Sequence, residues 1–110
     1  MSTTVSDDRL DLVFRALADR TRRAMLARLG QGPAMVKELA APFDMSLPAV
    51  SKHLKVLERA ALVSRAVDGR VHRCSLRAAP LSDVDEWLAD YREFWQGSLE
   101  SLARFVEEGE

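Results

Sequence analysis

The stretch Ser46-Leu47-Pro48-Ala49-Val50-Ser51-Lys52-His53-Leu54-Lys55-Val56-Leu57-Glu58-Arg59-Ala60 predicts an amphipathic helix near the middle of this chain. Its apolar residues recur at three- and four-residue intervals, which places them on one side of a helix. They are Leu47, Val50, Leu54, Leu57 and, just beyond the stretch, Ala61. Ser46 is a favoured N-cap, and Pro48 is tolerated in a first turn whose N–H groups have no partner within the helix. The apolar side is therefore expected to face a core.

The opposite side of this helix is predicted to be cationic and low in profile. It carries Pro48, Lys52, Lys55 and Arg59, with the small residues Ala49 and Ser51 beside them. A solvated charged face is the ordinary interpretation of this pattern, and contact with nucleic acid is the alternative. His53 lies at the boundary between the two sides, where it either bonds to a neighbouring backbone group or contacts DNA.

Length and composition indicate one folded domain over residues 1–110, with 47% hydrophobic and 30% charged residues. The single cysteine cannot form an internal disulfide, and residues 1–8 lack the cationic and apolar regions of an export signal. No apolar run approaches the roughly 18 residues that a membrane span needs. We therefore expect a cytoplasmic protein without a membrane partner.

Charge is distributed unevenly along the chain, although the net charge is only −1. Residues 46–80 carry seven Lys or Arg residues against two acids, whereas residues 81–110 carry nine acids against two arginines. A phosphate backbone would meet the local charge of the basic segment rather than the average.

Two helices are expected before the central one. The first is capped by Asp7 or Asp8 and runs to about Ala18, and the second is capped by Asp19 and covers Arg20–Leu29. The glycines that follow Leu29 end the second helix.

A third, short helix is predicted from Ala34 to Ala41, opened by Pro33 but without a good cap. The tight apolar turn at residues 42–45 then leads directly into the Ser46 helix. A helix, a short turn and a basic amphipathic helix form a helix-turn-helix.

Residues 62–77 predict a β-hairpin, or wing, because two β-branched runs flank Asp68-Gly69, a strong signal for a two-residue turn. The expected register pairs Val67 with Arg70. The face expected to meet the core carries Val63, Cys74 and Leu76. The arginines of the hairpin, Arg65, Arg70 and Arg73, either keep an edge strand soluble or contact a DNA backbone. Their position next to a basic helix favours the backbone contact.

His72 and Cys74 lie two residues apart on a strand and therefore share a face, which raises the possibility of a metal site. A structural zinc site normally needs four ligands, and the sequence has no second Cys or His cluster. We expect a core position for Cys74 and no bound metal or cofactor. The sequence also has no nucleophile elbow or phosphate-binding loop, so we expect no enzyme activity.

The last predicted helix covers residues 82–107, with a start that resembles a capping box at Ser82-Asp83. Its apolar residues cover a wider arc than packing within one small domain requires. With Phe14 from the first helix, the expected dimerisation set is Trp87, Leu88, Tyr91, Phe94, Trp95, Leu99, Leu102 and Phe105. A two-fold homodimer would use this surface twice.

Several of these segments resemble the ArsR/SmtB-type winged-helix transcriptional regulators. They are Phe14-Arg15-Ala16-Leu17-Ala18-Asp19, Thr21-Arg22-Arg23, Glu38-Leu39-Ala40, Ser46 to Leu57, and Gly69-Arg70. The resemblance implies a homodimeric repressor whose Ser46 helix is the recognition helix and binds in the major groove of DNA. The sequence departs from that pattern at Arg20, where similar proteins carry proline, and at Met35, where metal-sensing relatives carry cysteine. No histidine follows His72 to supply the terminal-helix metal site of other relatives.

The sequence therefore predicts a mainly α-helical winged helix-turn-helix with a small β-hairpin and a long C-terminal dimerisation helix. We expect it to bind double-stranded DNA at a palindromic operator through Ser46, Pro48, Ala49, Ser51, Lys52, His53, Lys55, Arg59, Arg65, Arg70 and Arg73. The alternative is a winged helix that binds another protein, for which apolar or acidic anchors would be expected on the exposed helix face. The sequence does not identify an effector.

Overall fold

A computed structural model describes residues 6–108, which form five helices and a three-stranded antiparallel sheet. In chain order the elements are α1 (Asp7–Leu17), α2 (Arg20–Leu29), β1 (Ala34–Met35), α3 (Val36–Ala40), α4 (Leu47–Arg59), β2 (Val63–Asp68), β3 (Val71–Leu76) and α5 (Ala79–Glu108). The predicted fold class, mainly helical with a hairpin and a long last helix, is confirmed. The export-signal prediction concerns residues 1–5 as well, and these lie outside the described range.

The apolar side of α4 lies at the centre of the core. Val50, Leu54 and Leu57 have no exposed surface, as their spacing predicts. They belong to a cluster with side chains from α1, α2, α3 and the sheet. The prediction of burial is wrong for the two residues at the ends of the stripe. Leu47 is 59% exposed because it lies in the first turn, beyond the edge of the core, and Ala61 is exposed in the turn after the helix.

Side-chain caps start three of the helices. Asp19 Oδ2 accepts from Arg22 N at 3.0 Å, and Ser46 Oγ accepts from Ala49 N at 3.3 Å, so both predicted caps are confirmed. The cap of α1 is Ser6 rather than Asp7 or Asp8, because the Ser6 hydroxyl accepts from the backbone N–H three residues later. The two aspartates instead occupy the first turn, where negative charge is favourable.

The prediction of a helix from Ala34 is wrong in its first two residues. Ala34 and Met35 form β1, which pairs with Cys74 and Arg73 of β3. Helix α3 begins at Val36, and Glu38 Oε1 accepts from Met35 N at 3.0 Å. Pairing with Ala34 and Met35 satisfies backbone N–H and C=O groups on the edge of β3 that does not face β2. The chain then turns into α3.

The hairpin forms with a different register from the one expected. Asp68 pairs with Val71, so the turn residues are Gly69 and Arg70, and Val63 pairs with Leu76 rather than with Cys74. Gly69 has a φ of +63°, and a turn with positive φ only at its first central residue is satisfied by a single glycine. The expected Asp68-Gly69 turn would have required positive φ at the aspartate as well. The observed register differs from the expected one by two positions along β3. Because side chains alternate between the two faces of a strand, a shift of two leaves Val63, Cys74 and Leu76 on the same face.

Helix α5 starts at Ala79, earlier than predicted, and includes Pro80 in its first turn. Proline is tolerated there because its missing N–H would have had no partner within the helix. The helix continues through Gly97 to Glu108. Among residues 6–108 there is no helix with the length and apolarity needed to cross a membrane.

Helix α4 ends in a left-handed turn at Ala61, which has a φ of +59°. Leu62 N donates to Leu57 O at 3.0 Å and Ala61 N to Glu58 O at 2.9 Å, which together make a Schellman motif. Glycine usually occupies this position because a Cβ atom is unfavourable in the left-handed region.

We expect Ala61→Gly to raise the free energy of unfolding by about 0.5–1 kcal/mol, because it removes the Cβ strain at a cost in unfolded-chain entropy. Urea unfolding monitored by circular dichroism measures the change. Ala60→Gly is the matched control, because Ala60 is buried and has a negative φ of −80°, at which a Cβ atom causes no strain. That control should lose stability, and a loss in both variants would contradict the strain at Ala61.

Candidate nucleic-acid interface

The outward face of α4 presents three long cationic side chains. Lys52, Lys55 and Arg59 are exposed, and within residues 6–108 none of their side chains makes a hydrogen bond or an ion pair. Unpaired cations at positions three, four and seven residues apart lie on one helix face. The face is therefore free to meet phosphates or base edges.

The start of α4 adds a second favourable feature for an anionic partner. Ser46 and Pro48 are exposed, Ala49 and Ser51 are half-buried, and no acidic residue occupies the first turn. The positive end of the helix dipole therefore has the neutral Ser46 cap but no acidic side chain in the first turn. Small residues around it permit a close approach to DNA.

Two of the hairpin arginines extend the cationic surface. Arg70, in the turn, and Arg73, on β3, are exposed, and their side chains have no polar partner within the described residues. A groove of about 500 Å³ separates the hairpin from the start of α4, and Lys37, Ser51 and Arg70 contribute to its walls. Lys37 and Arg70 make part of this wall cationic, whereas Met35, Val36, Leu47 and Val71 make much of the rest apolar.

Arg65 has a different environment from the other two hairpin arginines. Its side chain is only 19% exposed, and Nη2 donates to Glu58 Oε1 of α4 at 2.6 Å. Nη1 lies 3.4 Å from His72 Nδ1, and Nε is buried without a partner. The pleat of β2 directs Arg65 to the same face as Cys74, so its guanidinium joins the hairpin to α4.

His53 lies against side chains of α2 and its cap, and not against a backbone group, which was one of the two alternatives that the sequence left open. Its ring is 19% exposed, with Nδ1 at 3.2 Å from Arg22 Nη1 and 3.8 Å from Asp19 Oδ2. Sequence reasoning missed Arg22, because a residue 31 positions away leaves no periodic signal. The sequence features at Arg22 were its place three residues after a capping aspartate and its membership of the Thr21-Arg22-Arg23 segment that resembles the family.

The carboxyl of Asp19 is the best-defined electrostatic feature of this cluster. Its pKa is lowered chiefly by the hydrogen bond from Arg22 N, with further contributions from the His53 ring when that ring is protonated and from the Arg22 guanidinium. Partial burial acts in the opposite direction. The ionised form of Asp19 is therefore the one that the folded chain favours.

Cys74 is buried on β3, opposite Ala34 and Arg65, in agreement with its expected place in the core. Burial raises the pKa of the thiol above its ordinary value. Within residues 6–108 there is no group of three His, Cys, Asp or Glu side chains that could hold a metal ion. His72 instead approaches Arg65.

The expected dimerisation residues divide into two groups. Phe14 of α1 packs edge-to-face on Trp87 of α5, and Trp87 contacts Tyr91, with ring centroids 5.4 and 5.1 Å apart. Leu88 is half-buried. The remaining members lie on the surface of this single chain: Phe94 (77% exposed), Trp95, Leu99, Leu102 and Phe105 (73% exposed).

Comparison with known protein families and curated proteins places this surface in context. Residues 17–65, from the end of α1 to β2, match the model of a helix-turn-helix domain. The HTH-type transcriptional regulator Rv2034 of Mycobacterium tuberculosis is 40% identical over 107 residues, which cover 97% of this chain and 94% of that protein. The transcriptional repressor SdpR of Bacillus subtilis is 33% identical over 79 residues, covering 72% and 88%.

Solved structures show the same architecture. The ArsR family transcriptional regulator RHA00566 superimposes with a TM-score of 0.79 at 44% identity, covering 84% of this chain and 95% of its own. The homodimeric winged helix-turn-helix domain of Mb0332 from Mycobacterium bovis superimposes with a TM-score of 0.62 at 26% identity, covering 83% and 93%.

The Asp19 cap gives a pH-dependent prediction. Asp19→Ala should lower the free energy of unfolding by about 1 kcal/mol at neutral pH, whereas Asp19→Asn should retain most of the cap. Because folding lowers the pKa of Asp19, its charge stabilises the fold above the ordinary pKa of 3.8, and this contribution is lost as the pH falls through the folded-state value.

Urea unfolding of the wild type and Asp19→Asn, at neutral pH and below about pH 3, tests the sign. The wild-type advantage should disappear in acid, where both side chains are neutral. An advantage that persists there would contradict the assigned cause.

Proposed function

Because the chain belongs to the ArsR family of winged helix-turn-helix transcriptional regulators, we propose that it acts as a single-domain homodimer that binds a palindromic operator and represses transcription. The carrying observation is the unpaired cationic face of α4, beside the exposed arginines of the hairpin. We place this activity in the cytoplasm, where bacterial operator DNA is accessible. Repression is supported by the similarity to SdpR.

In this proposal α4 enters the major groove with its N-terminal half, and the wing lies over the flanking backbone. The helix contacts come from Ser46, Pro48, Ala49, Ser51, Lys52, Lys55 and Arg59, and the wing contacts from Arg70 and Arg73. His53 and Arg65 are already bonded within the chain, to Arg22 and Glu58 respectively. We therefore assign them an indirect role, in which they help to hold this surface in place.

A second copy of the chain is the proposed cover for the apolar surface of α5. The exposed side chains Phe94, Leu99 and Phe105 extend along a helix of 30 residues, far past the contact with α1. Isolated exposed apolar residues are ordinary, but a continuous stripe of this length is typical of an interface. The homodimeric state of Mb0332 supports the same arrangement.

A winged helix that binds another protein is the competing function. Such a surface would be expected to be rich in aromatic and apolar anchors and poor in lysine. The outward face of α4 instead carries Lys52, Lys55 and Arg59, which favours a nucleic-acid partner. The relatives are transcriptional regulators, a class without enzymatic activity.

Selection of bound sequences from a random duplex pool tests the proposed function directly. We expect an enriched palindrome with half-sites about one DNA turn or a multiple apart, and binding that weakens steeply with salt. Equal retention of all sequences, or no retention at low salt, would exclude an operator-binding role.

Substitutions on the two cationic surfaces should weaken binding in different ways. Lys52→Ala or Lys55→Ala should cost about 1–3 kcal/mol and relax specificity at one position if the side chain reads a base, or weaken all sequences alike if it contacts phosphate. Arg70→Ala should reduce the salt slope by about one unit without changing the preferred sequence. Titrations at several salt concentrations measure both effects.

Lys37→Ala is a neighbouring control, since Lys37 lies on α3 at the edge of the same groove and not on α4. It should leave sequence preference unchanged. If neither Lys52→Ala nor Lys55→Ala alters affinity for the selected site, the assignment of α4 as the reading helix is wrong.

The dimer surface gives a separate prediction. Phe94→Glu should raise the dimer dissociation constant by at least about thirtyfold, because it places a charge within the apolar surface that the second chain would cover. The fold of one chain should persist, since Phe94 is exposed within it. Sedimentation velocity over a concentration series measures the change, with Glu93→Gln on the same helix as the control.

A wild-type protein that sediments as a monomer at micromolar concentration and still binds a single half-site tightly would falsify the dimer model.

A further inference from the structure

We propose that Arg22 is a positioning residue that sets the orientation of α4 relative to α1. It thereby sets the direction in which the DNA-reading face of α4 points. This inference rests on the proposed function for its biological meaning, but its geometry can be tested without DNA. It assigns Arg22 a role that neither its helical position nor its charge indicates.

One guanidinium group connects two helices that are separate in sequence. Arg22 Nε donates to Ala16 O and Nη2 to Arg15 O, both at 2.8 Å, at the C-terminal end of α1. The third nitrogen, Nη1, lies 3.2 Å from His53 Nδ1 in the middle of α4. The backbone of Arg22 is itself held by the Asp19 cap.

The contacts to α1 use carbonyl groups of its last turn, where a helix end leaves acceptor capacity free, although Arg15 O also accepts from Ala18 N at 3.3 Å. A cation is favourable at the negative end of the helix dipole, which strengthens both bonds. Because the guanidinium is planar and rigid, two bonds on one side fix the direction of the third N–H. The two bonds to the end of α1 therefore hold the Arg22 guanidinium in place, and its Nη1 group donates to His53 from that fixed position.

The bond between Arg22 and His53 restricts the orientation of α4. Arginine can only donate, so Nδ1 of the ring must accept, and the neutral ring then carries its proton on Nε2. Packing of Val50, Leu54 and Leu57 is non-directional and tolerates small rotations of a helix about its axis. A directional bond at the edge of the apolar stripe restricts that rotation, and Lys52 and Lys55 turn with the same helix.

The other end of the connection leads to the proposed dimer surface. Helix α1 contacts α5 through Phe14 and Trp87, and through an ion pair of 2.8 Å between Arg9 and Asp83. Arg22 thus joins α4 to the helix that packs on α5. In a dimer, the separation of the two reading helices would depend on this joint.

Arg23 provides a matched comparison. Its Nη1 donates to Leu17 O at 2.6 Å, at the same end of α1, but among the described residues it makes no hydrogen bond or ion pair with α4. Loss of a cation at the end of α1 is therefore common to Arg22→Gln and Arg23→Gln. Only Arg22→Gln removes the connection to His53.

The binding experiment compares affinity for the selected palindrome with affinity for unrelated duplex DNA. Arg22→Gln and His53→Leu should each lower the specific affinity by about tenfold, with little change in non-specific affinity. Arg23→Gln should stay within about threefold of the wild type. His53→Gln should do the same, because its amide oxygen can accept the bond from Arg22.

A double-mutant cycle separates positioning from direct contact. If His53 acts through Arg22, Arg22→Gln combined with His53→Leu should lose no more than either single variant. Additive losses would mean that His53 touches DNA independently, and would overturn the proposal. If Arg22→Gln fails to fold, His53→Leu against His53→Gln still decides the outcome, because both leave the α1 contacts intact.

The ring of His53 gives the readout that is independent of DNA. Its ¹⁵N chemical shifts at neutral pH should show an unprotonated Nδ1 in the wild type and in Arg23→Gln, and a change in Arg22→Gln. A wild-type ring protonated at Nδ1 would overturn the proposal. If the wild type bound all DNA alike, the proposed function would fail, and the ring shifts would still decide whether Arg22 holds α4.

Discussion

The one-sided burial of α4 is the constraint on which the rest of the structure depends. Val50, Leu54 and Leu57 lose all contact with solvent, and the surrounding helices and sheet are arranged to cover them. A helix that buries one side must present the other. Core packing therefore also determines where Lys52 and Lys55 point, so the hydrophobic energy that holds the fold together also directs the cationic surface.

Hairpin geometry shows how neighbouring residues of one type acquire different roles. Arg65 and Arg70 belong to the same basic hairpin, yet the pleat turns Arg65 inward to Glu58, while Arg70 lies in the exposed turn. Taking a guanidinium out of water is favourable only when partners replace the water. Composition counts both arginines alike, and only strand register separates them.

The sequence predicted those parts of the fold that depend on local pattern. The faces of α4 and of the hairpin follow from periodicity, and the caps at Asp19 and Ser46 from residue type. The short strand at Ala34 could not be predicted, because it exists only to pair with β3, some 40 residues later. The bond between Arg22 and His53 is non-local in the same way, so the cationic face could be predicted from the sequence but the contact that orients it could not.

The exposed stripe of α5 connects the fold to the affinity of the proposed complex. One chain presents few unpaired cations beside α4, and each phosphate contact adds only a limited, salt-dependent increment. A single reading helix is therefore expected to bind a half-site weakly. Pairing two chains through α5 would make the second half-site contact intramolecular, which raises affinity without any new contact with DNA. That gain requires both reading helices to be held at a fixed separation, because a variable separation would lower the effective concentration of the second helix at its site. In the proposed dimer these two features would meet one requirement together. The apolar surface of α5 would join the chains, and the contacts of Arg22 would hold α4 in a fixed orientation within each chain.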